Sequence, residues 1–297
     1  MAATLDWYGC ATFRLTIGEL VVFLDAYIDR APGAPGTGLT ADDVDRADWI
    51  LVGHSHFDHL WGAERIARNT GATIVGSYES IRVMAEQGVP IEQLMPVAGG
   101  EPIRLSDDVM VNVYPSQHSC VWTKSGGMFE ADSVCLGDLG VTHQERLARF
   151  GDMRSLMAGS LSPGAVEHLM VSQQDARGDG GALVFMIDTP QGTLLYQDTS
   201  GHWSGILHDL RPDVAILAAA GRGNIDGEPV QGSLAGFVAR QASLVRARTV
   251  ILSHHDDWLP GFSKGIDVSV VRDAIALEAP RTTLVELDYL DGHVVFK

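Results

Sequence analysis

Short apolar runs alternate with amphipathic segments along most of the chain. The alternation predicts a β-sheet with helices packed against it. The predicted strands are residues 5–9, 12–17, 20–24, 49–53, 72–76, 102–105, 109–114, 182–188, 192–197, 212–220, 249–253, 283–287 and 293–296. The predicted helices are residues 62–68, 80–87, 234–245 and 268–278, with a helix start at 40–44 and two short helices around 142–150 and 164–171.

The pattern weakens between about 120 and 180, where glycines interrupt the apolar positions. A long, glycine-rich segment with two short helices, inserted between strands, is typical of a cap or lid over a site. A surface excursion or a contact between two copies of the chain is the alternative. We therefore expect a single domain over residues 1–297 with a cap or lid insertion at about 120–180.

The most unusual stretch is His54-Ser55-His56-Phe57-Asp58-His59, which follows the apolar run 49–53. Three imidazoles and a carboxylate where a buried strand ends are costly unless a cation takes up their lone pairs. In an extended loop His54 and His56 point the same way, so both can bind one ion. Asp58 and His59, after the chain turns, can face a second point nearby. The spacing predicts a site for two metals, or for one metal with an acid beside it.

Further polar residues follow other predicted strands in the same way. One sheet edge would present five imidazoles and two carboxylates, the right number for two zinc-like ions that share a bridging aspartate. Each lone histidine is a weak signal, but the recurrence at strand ends strengthens every one. These candidate ligands are His54, His56, Asp58 and His59, then His118, Asp198 and His254.

Composition and charge narrow the class of protein. The formal net charge of −17 weighs against nucleic-acid binding, which requires clustered Lys and Arg. The three cysteines, Cys10, Cys120 and Cys135, form no CxxC pair, which favours a reducing cytoplasm. The amino terminus lacks the pattern of a secretory signal, and no apolar run is long enough for a membrane span. We expect a cytoplasmic protein that acts on a small-molecule substrate. The sequence does not decide whether the protein forms a homo-oligomer.

The chain resembles the metallo-β-lactamase fold superfamily over nearly its whole length. The residues that carry the resemblance are the histidine motif, His118, Asp198 in Tyr-Gln-Asp-Thr and His254 in Leu-Ser-His-His-Asp-Asp. Residues 7–15 and 22–25 are similar to the branch that holds ascorbate-phosphate lactonase-like and N-acyl phosphatidylethanolamine phospholipase D-like proteins. That branch often opens with G-H-A-[ST], whereas this chain has Cys10 where His is usual.

The resemblance implies an α/β fold, a four-layer αβ/βα sandwich with the metals at one edge of two sheets. It implies two divalent metals, zinc first, with manganese or iron as alternatives. The ligands that it implies are His54, His56 and His118 for the first metal, Asp58, His59 and His254 for the second, and Asp198 as the bridge. His255 competes with His254, which we prefer because it follows the predicted strand directly.

Four further residues are candidates for the surroundings of the metals. Asp25 ends a strand and could accept a hydrogen bond from a metal-bound histidine, although an aspartate that caps a loop is equally expected. His202, four residues after Asp198, could reach the pocket, but a surface histidine is the commoner case. His255 could lie in the pocket wall or transfer protons, and Asp256 could line the entrance.

The expected activity is hydrolysis by a hydroxide that bridges two divalent metals, with Asp58 orienting it and moving its proton. The bond could belong to an ester, a lactone or a phosphodiester. The alternative is a mononuclear non-haem iron oxidoreductase, because persulfide dioxygenases share the fold. A third hypothesis, a metal-binding protein without catalysis, is disfavoured by the retention of Asp58.

Overall fold

Two seven-stranded sheets dominate the computed structural model, which describes residues 2–122, 131–135, 140–173 and 180–297. The strands are β1 (Ala3–Gly9), β2 (Thr12–Ile17), β3 (Leu20–Leu24), β4 (Trp49–Leu51), β5 (Thr73–Ser77), β6 (Leu94–Val97), β7 (Pro102–Arg104), β8 (Met110–Pro115), β9 (Val134–Cys135), β10 (Leu183–Thr189), β11 (Gly192–Gln197), β12 (Gly201–His202), β13 (Val214–Ala218), β14 (Asn224–Ile225), β15 (Glu228–Pro229), β16 (Gly232–Ser233), β17 (Thr249–Ser253), β18 (Thr283–Val285) and β19 (His293–Phe296).

Helices occur between the strands and within residues 140–173. They are α1 (Phe57–Leu60), α2 (Ala63–Thr70), α3 (Tyr78–Glu86), α4 (His143–Ser160), α5 (Pro163–Ser172), α6 (Ser204–Leu207), α7 (Leu234–Val245) and α8 (Val268–Glu278), with 3₁₀ turns at Ala41–Asp43 and Ile91–Gln93. None of the helices in the described ranges is long and apolar enough to cross a membrane.

The first sheet has the strand order β19-β1-β2-β3-β4-β5-β6, and the second has the order β18-β17-β13-β11-β10-β8-β7. In the first sheet β3, β4, β5 and β6 are parallel neighbours. In the second sheet β11, β13, β17 and β18 are parallel neighbours. Parallel strands place their carboxyl ends at one edge, so the loops that follow β3, β4, β11 and β17 lie near one another.

Three apolar layers explain the packing of these sheets. Side chains such as Phe13 and Leu24 of one sheet pack against Phe185 and Ile216 of the other. Helices α2 and α3 cover the outer face of the first sheet, and α7 and α8 cover the outer face of the second. The order helix, sheet, sheet, helix confirms the predicted α/β four-layer sandwich.

The inserted region differs in detail from its prediction. Helix α4 runs to Ser160, well past the predicted end near 150, and none of its residues is buried. The predicted helix start at 40–44 is a single 3₁₀ turn capped by Thr40. Helix α5 packs Ala165 against Tyr27, Phe57 and Trp258. The rest of the predicted insertion, residues 123–130, 136–139 and 174–179, lies outside the described residues.

Candidate metal centre

The first group of candidate ligands consists of three histidines. His54 and His56 follow β4, and His118 follows β8. One ring nitrogen of each lies within 4.8 Å of the other two, and His54 Nε2 is 3.1 Å from His56 Nδ1. Two ligands of a tetrahedral zinc with Zn–N bonds of about 2.05 Å are about 3.3 Å apart. The spacing is therefore that of histidines around one ion.

The second group combines an aspartate with two histidines. Asp58 and His59 lie on the one-turn helix α1, which makes the turn that the sequence requires after His56. His254 follows β17, and its Nε2 is 3.1 Å from Asp58 Oδ2. His59 Nε2 is 3.6 Å from the same oxygen. Both imidazoles thus lie around one oxygen of Asp58. The ring centroids of His54 and His59 are 4.0 Å apart, and His54, His59 and Asp198 form another set of close candidate ligand atoms.

Asp198 lies between the two groups. Its Oδ2 is 2.5 Å from His54 Nδ1 and 3.3 Å from His59 Nδ1. Its Oδ1 is buried and has no hydrogen-bond partner among the described residues. Gly53 makes this position available, because a Cβ there would overlap the Asp198 carboxylate. An unsatisfied buried carboxylate oxygen is costly, and a metal ion is one partner that would satisfy it.

Burial keeps several of these imidazoles in the neutral form that a metal requires. Burial, assisted by His59 and the other nearby imidazoles, lowers the pKa of His54 well below its ordinary value. Burial also lowers the pKa of His118 well below its ordinary value. It lowers the pKa of His59 less, because the nearby carboxylates of Asp58 and Asp198 favour the protonated ring and oppose the effect of burial. The lone pairs of these three rings are therefore available at neutral pH.

The two carboxyl groups behave differently. Burial alone would raise the pKa of Asp58, but His59 and His254 hold it below its ordinary range, so Asp58 is an anion. Burial, assisted by Asp25, raises the pKa of Asp198 to about 8. Burial opposes ionisation of His254, yet its hydrogen bond to Asp58 raises its pKa. A bound dication would favour the anionic form of both carboxyl groups.

Asp25 lies directly behind the second group. Its Oδ2 is 2.6 Å from His59 Nδ1 and accepts a hydrogen bond from the Tyr196 hydroxyl at 2.7 Å. Its Oδ1 accepts from the backbone N–H of Gly53 at 2.8 Å. The sequence left two alternatives for Asp25, a hydrogen bond to a metal-bound histidine or a loop cap, and its carboxylate contacts His59, a candidate ligand. A carboxylate on Nδ1 fixes the ring so that Nε2 presents its lone pair to the ion.

The other three predicted neighbours lie outside the two groups. Asp256 accepts hydrogen bonds from the Cys10 backbone N–H and pairs with Arg30, beside the second group. His255 stacks on Trp7 with ring centroids 4.6 Å apart, while His254 takes the place next to Asp58. His202 is buried against Phe237, with ring centroids 5.4 Å apart, and not on the surface.

Cys10 is the residue near the centre that the sequence did not predict there. Its Sγ is 3.6 Å from both ring nitrogens of His254, and Cys10, Asp58 and His254 form a further group of metal-ligating side chains. Burial raises the pKa of the thiol, with Asp58 acting in the same direction. The one signal in the sequence was its place in Gly9-Cys10-Ala11-Thr12, where the resembling branch has a histidine.

The donor set fits divalent transition metals. Five imidazoles and two carboxylates, gathered as two groups around Asp198, match the ligand types that zinc, manganese and iron accept. Neutral imidazoles beside an anionic Asp58, with one unsatisfied oxygen on Asp198, would gain partners from two ions. The residues present therefore fit the metals that the fold implies.

A family model described as a beta-lactamase superfamily domain matches residues 21–178, which is more than half of the chain. The chain belongs to this superfamily. The match begins at β3 and includes the histidine motif and His118. The resemblance to the superfamily is thereby confirmed, whereas the placement in the lactonase-like or phospholipase D-like branch stays a prediction.

A relative from Pyrobaculum arsenaticum, named UPF0173 metal-dependent hydrolase, is 36% identical over 143 residues, which are 44% of this chain and 62% of that protein. Its counterpart from Pyrobaculum islandicum is 37% identical over 117 residues, which are 39% of this chain and 50% of that protein. The chain thus matches only about half to three fifths of the length of these curated relatives.

Two solved structures show similarity in fold alone, because their sequences are less than 25% identical to this chain. Igni18, a metallo hydrolase from Ignicoccus hospitalis, has a TM-score of 0.62 and 15% identity, covering 99% of this chain and 98% of that chain. CmlA, a diiron β-hydroxylase from Streptomyces venezuelae, has a TM-score of 0.56 and 12% identity, covering 97% of this chain and 53% of that chain.

Proposed function

We propose that the protein is a metal-dependent hydrolase with two divalent ions, one on His54, His56 and His118 and one on Asp58, His59 and His254. Asp198 would join the two ions. The observation that carries this proposal is the position of Asp198 between two ligand groups, with its Oδ1 buried and without a partner among the described residues. The relatives named as metal-dependent hydrolases support it.

Two such ions would supply a hydroxide between them, because metals lower the pKa of bound water from near 16 to about 7. Asp58 would orient that nucleophile and then carry its proton, since its carboxylate is anionic and reaches His254. Asp25 would keep the ring of His59 oriented through its Nδ1 atom. These residues would thus bind the two ions, orient the ligand rings and the nucleophile, and move a proton.

Zinc is our first choice of metal, with manganese or iron as alternatives. Neutral imidazoles suit zinc and iron, and carboxylates also accept manganese. We propose a small molecule as the substrate and an ester, lactone or phosphodiester as the bond cleaved. The free cysteines Cys10 and Cys120 are compatible with the cytoplasm as the place of action.

The insertion at about 120–180 is proposed as a cap over the substrate. A cleft of about 650 Å³ lies between the loop 29–40 and helix α5, which belongs to that region. His168 of α5 and Trp61, two residues after the histidine motif, line this cleft, and His168 is 2.8 Å from the hydroxyl of the buried Tyr27 behind it. The candidate ligands themselves are not among its lining residues. A cleft of this size is ordinary for a small-molecule ligand.

The test combines metal analysis with a substrate panel. Protein reconstituted with zinc, manganese or iron is given an acyl lactone, a phosphodiester, a carboxylic ester and a β-lactam. We expect two ions per chain and turnover of one of the first three classes. Asp58→Asn should lower kcat by about 100-fold or more, since proton transfer contributes about 10²–10⁴. The exposed Asp209→Asn, whose side chain is 83% exposed, is the matched control.

An iron oxidoreductase is the rival function, and the diiron β-hydroxylase CmlA has the same fold. One iron per chain with oxygen uptake would support that rival and contradict hydrolysis. Unchanged turnover in Asp58→Asn would contradict the role given to Asp58 even if the protein is a hydrolase.

A further inference from the structure

We infer that Cys10 is a thiolate ligand of the second metal ion, in addition to Asp58, His59 and His254. The inference rests on the proposed metal centre and assigns to it a residue outside the histidine motif. Its starting observation is that Cys10, Asp58 and His254 offer one ligand atom each, all within 4.8 Å of one another and all buried.

The backbone of Cys10 is fixed to the loop that carries His254. The backbone N–H of His254 donates to the Cys10 carbonyl at 2.7 Å. The backbone N–H of Cys10 donates to Asp256 Oδ1 at 3.1 Å, two residues after His254. The turn between β1 and β2 is thus attached to the loop after β17, so the thiol stays beside His254 whatever the surrounding loops do.

The backbone conformation also points to a function at this position. Cys10 and His254 have φ values of 51° and 58°, in the left-handed region that non-glycine residues rarely adopt. Such residues cost about 1–3 kcal/mol each and concentrate at functional sites. A glycine at position 10 would relieve the cost, so a side chain there needs a reason to be kept.

The distance from sulfur to nitrogen fits a shared ion once the two side chains have rotated. Sγ is 3.6 Å from both Nδ1 and Nε2 of His254, so it lies over the face of the imidazole ring. Sulfur and nitrogen on one tetrahedral zinc, with bonds of about 2.3 and 2.05 Å, are also about 3.6 Å apart. Ligation requires the Cys10 side chain and the His254 ring to turn until Sγ and Nε2 face the same point. The thiol, which donates to the Asp58 backbone carbonyl at 3.4 Å, then gives up that hydrogen bond, and its proton leaves to solvent as the ion binds.

A thiolate would make the second site chemically different from the first. The first site would offer three imidazoles and the shared Asp198 carboxylate, whereas the second would offer sulfur in addition to nitrogen and oxygen. Soft sulfur ligands favour zinc, cobalt and iron over manganese. The second site should therefore take up cobalt or zinc in preference to manganese, and the first site should discriminate less.

Cobalt substitution tests this directly, because a thiolate bound to Co(II) gives a strong near-ultraviolet charge-transfer band, while any protein-bound Co(II) gives weak visible bands. The full chain is freed of metal and titrated with CoCl₂ alone. We expect the charge-transfer band to appear in the wild type and in Cys120→Ser/Cys135→Ser, which leaves Cys10 as the remaining cysteine. We expect the band to be lost in Cys10→Ser while the visible bands persist.

The outcomes separate this inference from the proposed function. Visible cobalt bands without a charge-transfer band in the wild type would overturn ligation by Cys10 and leave the metal centre standing. No cobalt bands at all would overturn both. Loss of the band in the double variant would assign it to another cysteine and overturn the inference, and this measurement remains valid even where Cys10→Ser fails to fold.

Discussion

Replacement of Asp25 by asparagine should weaken the second metal site without touching a ligand. Asp25 Oδ2 lies 2.6 Å from His59 Nδ1 and accepts from the Tyr196 hydroxyl. If the asparagine NH₂ group takes the place of Oδ2, it faces two other hydrogen-bond donors, the Nδ1–H group of His59 and the Tyr196 hydroxyl, and can accept from neither. His59 then gains by moving its proton to Nε2, the nitrogen that faces Asp58 and would bind the ion. The variant changes one atom type and keeps the shape.

The size of the loss in metal affinity follows from the loss of the hydrogen bond between Asp25 and His59. Loss of a partner that orients a metal-bound histidine costs about 10–100-fold in metal affinity. At about 1.4 kcal/mol per tenfold, this is about 1.4–2.8 kcal/mol, the usual range for a hydrogen bond to a charged group. Tyr196→Phe removes one hydrogen bond to Asp25 and leaves the contact with His59. Because that hydrogen bond acts on His59 only through Asp25, we expect a smaller loss of about 1 kcal/mol, or about fivefold in affinity.

The assay is competition between the protein and a chromophoric zinc chelator, which yields two dissociation constants per chain. In Asp25→Asn one of the two constants should rise about 10–100-fold and the other should change little. Asp188→Asn, at the far end of β10, is the control, because its side chain contacts Asn112 and not the centre. Two constants within twofold of the wild type in Asp25→Asn would refute the orienting role of Asp25.

Two further substitutions test the surroundings of the site. Gly53→Ala should lower the free energy of unfolding by about 1–3 kcal/mol, because its Cβ would overlap Asp198, while Gly151→Ala, which meets nothing within 4 Å, should be neutral or stabilising in chemical denaturation. Burial lowers the pKa of His202 from 6.5 to about 4, so the unfolded chain binds more protons in this window. Metal-free protein should lose stability over this window through several buried histidines, and His202 alone should account for about 3 kcal/mol of the loss between pH 6.5 and 4. The loss should therefore be about 3 kcal/mol smaller in His202→Gln than in the wild type or in the exposed His208→Gln, and equal losses in wild type and His202→Gln would contradict the assignment.

Much of the sandwich was predictable because its elements are encoded locally. The apolar runs of β10, β13 and β17 and the amphipathic faces of α7 and α8 have the spacing of buried strands and covering helices. Helix α4 was predicted too short for the same physical reason. It buries none of its residues, so no apolar face marks its length, and its clear signal is the capping box between Thr142 and Glu145.

The candidate ligands were predictable where they follow strands, since parallel strands bring their carboxyl ends to one edge. That rule gathers His54, Asp198 and His254 from distant parts of the chain. It does not decide between His254 and His255, because alternation along a strand fails once the chain turns, and His254 has a φ of 58°. It also omits Cys10, which lies in a turn and meets His254 only through the fold.

The distribution of strained backbone indicates how differently the two ligand groups are supported. Cys10, Asp25 and His254 all have φ values between 51° and 58°, and all three adjoin the second group. The histidines of the first group are not among the non-glycine residues with positive φ. At about 1–3 kcal/mol each, three left-handed residues are a large cost for a fold of ordinary stability. A metal that ties Asp58, His59 and His254 together would offset that cost, so removal of metal should loosen the second group more than the first.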